Sequence, residues 1–394
     1  MAMAKIREIA LAFPAAVPHL GRVLRGVADY AQQHARWTFV LSPETFVMRF
    51  RSLQGWSGNG VIALIDTKAE AAAARKLGVP VVNLSGALRD AGIPRVMVDS
   101  QAIGRLAAEH LLECGFQRFA YFGVRDLWYA QERLKGFIER LKQEGCQCSV
   151  YEVPSGITDR QPWHHGQQQL ARWLKSLKAP VGLMACTDQR AQMVADACRR
   201  IGLDVPGDVA VIGVDNDEIT CRFCVPPLSS VSRNSGTVGH EAAALLDRLM
   251  SGKRPPNDDI LVPPDGVVKR RSTDVVAVDN PHVAAAVRFI REHVGESFGV
   301  EQVAAQLPVS RRYLENRFRR HLGCTPHQYI CQVRVERAKQ LLADPERIKL
   351  KQIATVCGFN DPLRLRLVFQ RVTGTTPGEY RRSHTAGAEK LVVG

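Results

Sequence analysis

The hydrophobic period of this 394-residue chain changes once, near residue 270, and that change divides it between two kinds of folded body. Upstream, apolar runs of strand length alternate with amphipathic helical stretches. GVIALI (60–65) precedes TKAEAAAARKLG, VPVVNLSG (79–86) reads as strand and turn, and RVMVDS precedes GRLAAEHLLECG. RFAYFG leads to ERLKGFIERLKQEG, APVGLMACTD to AQMVADACRRIG, and DVAVIGVDND is a further short strand. Near-continuous apolar strands alternating with helices require a parallel sheet covered on both faces, with ligand sites beyond the carboxyl ends of the strands. The residues directly after each strand are therefore the ones to examine. KRRSTDVVAVDNPH (269–282) is short, mixed and ends at a proline, as a linker does, and beyond it the pattern is helical throughout.

The helical part contains one repeated pattern. VEQVAAQLPVSRRYLENRFRRHLG (300–323) and LKQIATVCGFNDPLRLRLVFQRVTG (350–374) each run from a short apolar helix through a tight turn into a helix that opens on a capping residue and is studded with arginine. Such a helix fits the major groove of B-DNA, and two of them argue for a protein that reads a long DNA site. In the first, Leu314 and Phe318 lie four apart and face the core, which leaves Arg311, Arg312, Glu315 and Asn316 toward the groove. In the second, Leu365 and Phe369 take the inward face, and Leu363, Arg364, Arg366 and Leu367 look outward. Arg312, Asn316, Arg364 and Arg366 are the candidates for base or adjacent phosphate contacts: arginine forks onto guanine, asparagine onto adenine, and leucine can touch a thymine methyl. A helix over 325–343, about 28 Å long, would hold the two readers near one DNA turn apart, about 34 Å.

Charge agrees with this reading. Residues 281–394 hold 19 Lys+Arg against 10 Asp+Glu, so +9 of the net +14 lies there, and the first 280 residues carry 34 against 29. A basic end on a near-neutral body is the footprint of nucleic-acid binding. Other classes find little support. The close cysteine pairs, Cys146 with Cys148 and Cys221 with Cys224, lack the partners of a zinc site, so the ten cysteines read as reduced and mostly small core residues, with no metal and no cofactor. An acid/base pair of Asp188 and Asp215 would make an enzyme, but no GxGxxG, no GxSxG and no nucleophile motif accompanies it. Lys5 and Arg7 ahead of IALAFPAAV mimic a secretory signal; the run is short and broken by Pro14, and a first strand, IREIALAF, with a helix near 19–34 is preferred. No run approaches the roughly 18 apolar residues of a membrane span, and a cytoplasmic protein is expected.

Two resemblances sharpen these expectations. IPRVMVDSQAIGRLAAEHLLECGFQRFAYFG, RLKGF, MACTDQRA, VPGDVAVIGVDND, PPLSSV and VVKRRSTD follow one another as in sugar-responsive repressors of the lac repressor type, over about residues 5–275. That family resembles periplasmic sugar-binding proteins, which implies two α/β lobes joined by a hinge, a polyol held between them, and a sensor that dimerises. Those repressors carry their DNA reader at the N-terminus, whereas this chain starts at the first sheet strand. Positions that match the family are Asp99 after VMV, Arg133 opening RLKGF, Thr187 and Asp188 after GLMAC, and Asp215 after VIGV. Thr187 stands where the family often has asparagine. Trp128 and Tyr129, just before Arg133, are candidates to stack on a sugar ring. Their chemistry suits hydroxyls, since Asp accepts, Arg donates in a fork and an aromatic face covers C–H bonds. For Asp99 and Asp188 a second reading stays open, that each only caps the helix that follows.

The C-terminal part resembles the DNA-binding domain of AraC/XylS-type activators. It carries Ser310, Leu314, Phe318 and Gly323, then Thr325, Pro326, Tyr329, Arg334, Arg337, Leu341 and Leu342. Ile353, Ala354, Gly358, Phe359, Phe369, Gly374, Thr376, Pro377, Tyr380 and Arg381 complete the second unit, with Leu363-Arg364-Leu365 where the family often has Ser-Tyr-Phe. A lac-type sensor followed by this reader is similar to the xylose operon regulators of bacteria over essentially the whole chain. The expectation is a two-lobed, periplasmic-binding-protein-like sensor with dimerisation domain (1–275), a linker (276–284), an all-α domain with two helix-turn-helix units (285–386) and a tail (387–394). The resemblance implies a homodimeric transcription regulator, an activator that works with RNA polymerase, responding to a pentose, with xylose foremost. The alternative is the same kind of regulator with another effector, or with none.

Overall fold

The computed structural model describes residues 6–14, 17–34, 36–40, 50–155, 163–274, 280–343 and 348–382. Residues 276–279 of the expected linker and the whole of the expected tail lie outside these. The chain forms two compact units, Met1–Val275 and Val276–Gly394.

The first unit holds two sheets. The first is built from β1 (Arg7–Ala12), α1 (Pro18–His34), β2 (Trp37–Val40), β3 (Gly60–Ala63), α2 (Lys68–Arg75), β4 (Val81–Asn83) and β5 (Val96–Val98). Its strands run parallel in the order β2-β1-β3-β4, and a bridge from Asn83 to Arg95 continues it to β5. The second sheet is built from α3 (Ser100–Glu113), β6 (Phe119–Val124), α4 (Trp128–Gln143), β7 (Cys148–Val153), α5 (Trp163–Ser176), β8 (Val181–Ala185), α6 (Asp188–Ile201), β9 (Val209–Val214), α7 (Glu218–Phe223) and β10 (Ser229–Ser232). The chain then returns to the first sheet with α8 (Ser235–Met250) and β11 (Ile260–Val262), which pairs with β5, and crosses once more to β12 (Gly266–Val268). The second order is β12-β10-β9-β8-β6-β7, parallel except for β12.

Both sheets are covered on two faces, and that is why their strands read as continuous apolar runs: every residue of β3, β6, β8 and β9 is buried. Three crossings join the lobes and are bonded to one another. The Asp99 amide donates to the Val262 carbonyl (2.8 Å), and Asp265 accepts from the Ser232 hydroxyl (2.8 Å) and the Asn234 amide (3.1 Å). Helices α3 and α4 touch backbone to backbone at Gly104 and Gly136. A Cβ on Gly104 would meet the Arg133 carbonyl oxygen at 2.1 Å. That contact fixes the turn of α4 that carries Arg133.

The second unit is helical: α9 (Pro281–Glu292), α10 (Val300–Ala305), α11 (Arg311–Leu322), α12 (Pro326–Ala343), α13 (Leu350–Val356) and α14 (Pro362–Thr373). The two halves solve the problem of orphan helix ends in the same way. Ser310 accepts from the Tyr313 amide at the start of α11, and Asp361 from the Arg364 amide at the start of α14. Each helix stops at a left-handed glycine, Gly323 (φ 66°) and Gly374 (φ 77°). Each is followed by a reciprocal capping pair, Thr325 with Gln328 and Thr376 with Glu379. Helix α12 is the expected rod. Its Tyr329 packs edge-on to Phe318 of the first half, and Val335, Ala338 and Leu342 enter the core of the second with Ile353, Leu365 and Phe369.

The halves are locked at Arg334. Its guanidinium donates to the Glu296 carbonyl (2.8 Å) and stacks between Phe298 and Phe359. Beside it Gly358 adopts φ 70°, and a Cβ there would lie 2.5 Å from the Glu296 carbonyl oxygen. Gly358→Ala is therefore expected to destabilise the C-terminal unit by about 1–3 kcal/mol through backbone strain alone, and by more if the collision does not relax. Denaturant unfolding of the variant checks this, and an unchanged transition for that unit would contradict the account.

Candidate effector cleft and nucleic-acid interface

The carboxyl ends of β8 and β9 deliver Thr187, Asp188 and Asp215, and the first turns of α4 deliver Tyr129 and Arg133. Of these, Arg133, Asp215 and Tyr129 converge on one point. Arg133, 1% exposed, directs Nη2 to the Asp215 carboxylate (3.9 Å), donates from Nη1 to the Cys186 carbonyl and lies over the Tyr129 ring at 4.8 Å. Asp215 sits at φ 113°, a strained conformation for a residue with a side chain. Strain of this kind persists where the surroundings hold it, and here Arg233 (3.2 Å to the carboxylate) and Arg22 (2.6 Å to the carbonyl) do so.

Arg22 and His19 come from α1 of the first lobe and Arg233 from the second crossing, so the cluster is assembled from both lobes and the hinge. Burial first, then the positive charge of Arg233, hold His19 down at about 4, against the attraction of Asp215. A neutral imidazole both donates and accepts, as does a hydroxyl. An acceptor carboxylate, forked donors and one group that does both are a set able to bind a polyol through adjacent hydroxyls.

The other expected sugar contacts are each engaged within the protein. Asp188 is fully buried behind the cleft, where its carboxylate accepts from the Ser230 hydroxyl (2.6 Å), the Asp217 amide (2.8 Å) and the Cys221 thiol. Burial, and next the Asp215 charge, push it up to about 7. It braces the turn that presents Asp215. Asp99 caps α3 by accepting from the Ala102 amide, and Thr187 caps α6 by accepting from the Arg190 amide. Trp128 takes the Arg95 guanidinium over its ring at 4.6 Å. His19, Arg22 and Arg233 were missed by sequence reasoning. Arg233 directly follows β10, a strand whose SSVS reads as loop by composition, whereas His19 and Arg22 lie within α1, well past the end of β1.

The reading helices keep their expected faces. Leu314, Phe318, Leu365 and Phe369 are buried, while Arg312, Asn316, Arg364 and Arg366 are exposed. Leu363 and Leu367 are 65% and 52% exposed on the outer face. Arg311 and Glu315 are engaged within the protein: Arg311 pairs with Glu315 (2.8 Å) and with Glu301. Five of the ten cysteines are buried and five half-buried, all as free thiols. No helix among the described residues is long and apolar enough to cross a membrane.

The low value at His19 sets a pH dependence. Its folded value lies below the ordinary 6.5, so its contribution to stability is complete above pH 6.5 and is lost as pH falls toward 4. His19→Gln should remove about 2–3 kcal/mol of the decline in stability over that interval. An equally steep decline in the variant, measured by denaturant titration at each pH, would contradict the assignment.

Comparison with known proteins follows the same division. The family model described as Periplasmic binding protein-like domain matches residues 108–273, XylR N-terminal domain matches 8–97, and Helix-turn-helix domain matches 303–383. The xylose operon regulatory protein of Escherichia coli (strain K12) is 33% identical over 386 residues, covering 96% of this chain and 97% of its own. That of Haemophilus influenzae is 31% identical over 383 residues, covering 95% and 98%. A solved structure described as "structure of xylose-binding transcription activator xylR" matches with a TM-score of 0.77 at 32% identity, over 96% of this chain and 99% of that one. With its paired lobes and its two helix-turn-helix units, the chain belongs to the family of xylose operon regulatory proteins.

Proposed function

We propose that this protein is a sequence-specific DNA-binding transcription regulator, an activator, whose state is set by a pentose, with xylose foremost. The observation that carries the reading is the cluster of Asp215, Arg133, Arg233 and His19 drawn together from both lobes, on the same chain as two outward arginine-bearing helices. Relatives similar over nearly the whole chain are named for xylose, which supports that sugar as effector. The protein acts by binding, with no reaction assigned to the cleft.

In this reading Asp215 accepts from two adjacent hydroxyls, Arg133 and Arg233 donate to sugar oxygens, and His19 closes from the other lobe. The Tyr129 ring, held beneath Arg133, keeps the guanidinium from turning away. Arg312, Asn316, Arg364 and Arg366 contact bases or adjacent phosphates, and Leu363 and Leu367 meet thymine methyls. Arg311 and Glu315, tied to each other, orient the first reading helix. The active form is a homodimer that presents four helix-turn-helix units and engages RNA polymerase. Ile219, Phe223 and Val225, all more than half exposed within seven residues, support self-association through the sensor. Sugar then shifts the equilibrium between two arrangements of the paired protomers, by no more than its difference in affinity for the two.

The test uses DNA selected from a random library by the purified protein, with its affinity measured at fixed salt with and without D-xylose. Xylose should change the affinity about five- to 150-fold. Asp215→Asn should lose that change while binding the sugar-free operator as the wild type does. A wild type that selects a sequence but ignores xylose would overturn the effector, and one that selects no sequence would overturn the reader.

A further inference from the structure

A second set of contacts joins the lobes beside the cleft, at the start of α4. This helix follows Leu127, which offers no capping side chain, so the amides of Trp128 and Tyr129 have no partner within the helix. The first lobe supplies both acceptors. The Trp128 amide donates to the Ala87 carbonyl (3.0 Å) and the Tyr129 amide to the Gly86 carbonyl (2.9 Å), in the loop between β4 and β5. The Trp128 ring carries Arg95 at 4.6 Å, and Arg95 is anchored in the first lobe by the Ser85, Leu88 and Arg89 carbonyls and by Asp259 (2.5 Å). Gly86 admits the approach: a Cβ there would lie 3.2 Å from the Tyr129 Cβ and 2.8 Å from the Met97 methyl.

We propose that Trp128 and the first turn of α4 form an interlobe clasp that sets the affinity for sugar without touching it. Trp128 is a positioning residue in this account. It holds Tyr129 and, through the stacked ring, Arg133 against the first lobe, so the free energy of the clasp adds to that of sugar in the closed arrangement. A weaker clasp lowers the closed fraction, and the apparent affinity for every sugar falls by that same factor. The effect on the sugars is uniform, which separates a clasp from a ring-stacking residue that would favour some pentoses over others. The proposal rests on the sugar-sensor reading for its affinity arm only.

Two variants of the full-length protein test it. Trp128→Ala removes the arginine stack, and Gly86→Ala presses a methyl toward Tyr129 without substituting any side chain of the cluster. Amide hydrogen exchange is followed by mass spectrometry over residues 127–131, and D-xylose, D-ribose and L-arabinose are titrated calorimetrically. In the wild type the Trp128 and Tyr129 amides should exchange far more slowly than free helix-start amides, and both variants should release them. Both variants should bind D-xylose about tenfold more weakly, with the rank order of the three pentoses unchanged. Fast exchange of these amides in the wild type with and without D-xylose, or no release in either variant, would overturn the proposal. So would an unchanged affinity for D-xylose or an altered rank order. A wild type that binds none of the three pentoses overturns the effector reading instead, and the exchange measurement then decides the clasp alone.

Discussion

The sensor depends on a carboxylate that has no business being buried unless something positive meets it. Asp215 is 4% exposed and stands at the carboxyl end of β9 with its backbone strained at φ 113°. An unpaired charge there would cost several kcal/mol. Arg133 and Arg233 meet it, and they arrive by different routes, one on a helix of the second lobe and one on the strand-to-helix crossing back to the first. Holding both in place requires the glycine contact between α3 and α4, the return of α8 to the first sheet, and Asp188 braced by Ser230 behind the turn. The cleft is polar because the fold has to satisfy this charge, and a polar, preformed set of donors and acceptors is what an effector rich in hydroxyls can exploit.

The C-terminal unit follows a different logic, in which one design is used twice. A capping side chain opens each reading helix, a left-handed glycine closes it, and a threonine capping pair starts the helix beyond. Helix α12 serves both halves, and Arg334 with Gly358 fixes their mutual orientation through backbone carbonyls. Rigid spacing of two readers is what makes a long DNA site readable as one unit. The halves then differ on their outer faces. The first offers Arg312 and Asn316, and the second adds exposed Leu363 and Leu367 to its arginines, so the two would prefer different base edges.

Much of this was legible in the residue order. Strands buried on both faces announce themselves as apolar runs, and the reading helices follow from periodicity and caps. Several strands were silent for identifiable reasons. β10 reads SSVS, a loop by composition, yet its serines are buried because Ser229 and Ser230 bond to the Arg270 carbonyl and to Asp188. β7 is an edge strand with exposed Ser149 and Val150, and β12 is a three-residue antiparallel edge. The threefold exchange of chain between lobes depends on pairings such as β5 with β11, far apart in sequence, and only the family resemblance pointed to it. In the cleft, Arg133 and Asp215 were visible as post-strand or motif positions. Arg233 and His19 reach the same point only through tertiary folding, and the caps made by Asp99 and Thr187 obey local rules that compete with any ligand role.

The central claim is that the cleft between the lobes recognises a pentose. Thermal unfolding of the full-length protein against a panel of pentoses and hexoses tests it most directly. A ligand at 100 times its dissociation constant adds about 2.7 kcal/mol to the folded state. The account predicts a selective upward shift of the sensor's transition with D-xylose, larger than with any hexose. No shift with any sugar at millimolar concentration would contradict it.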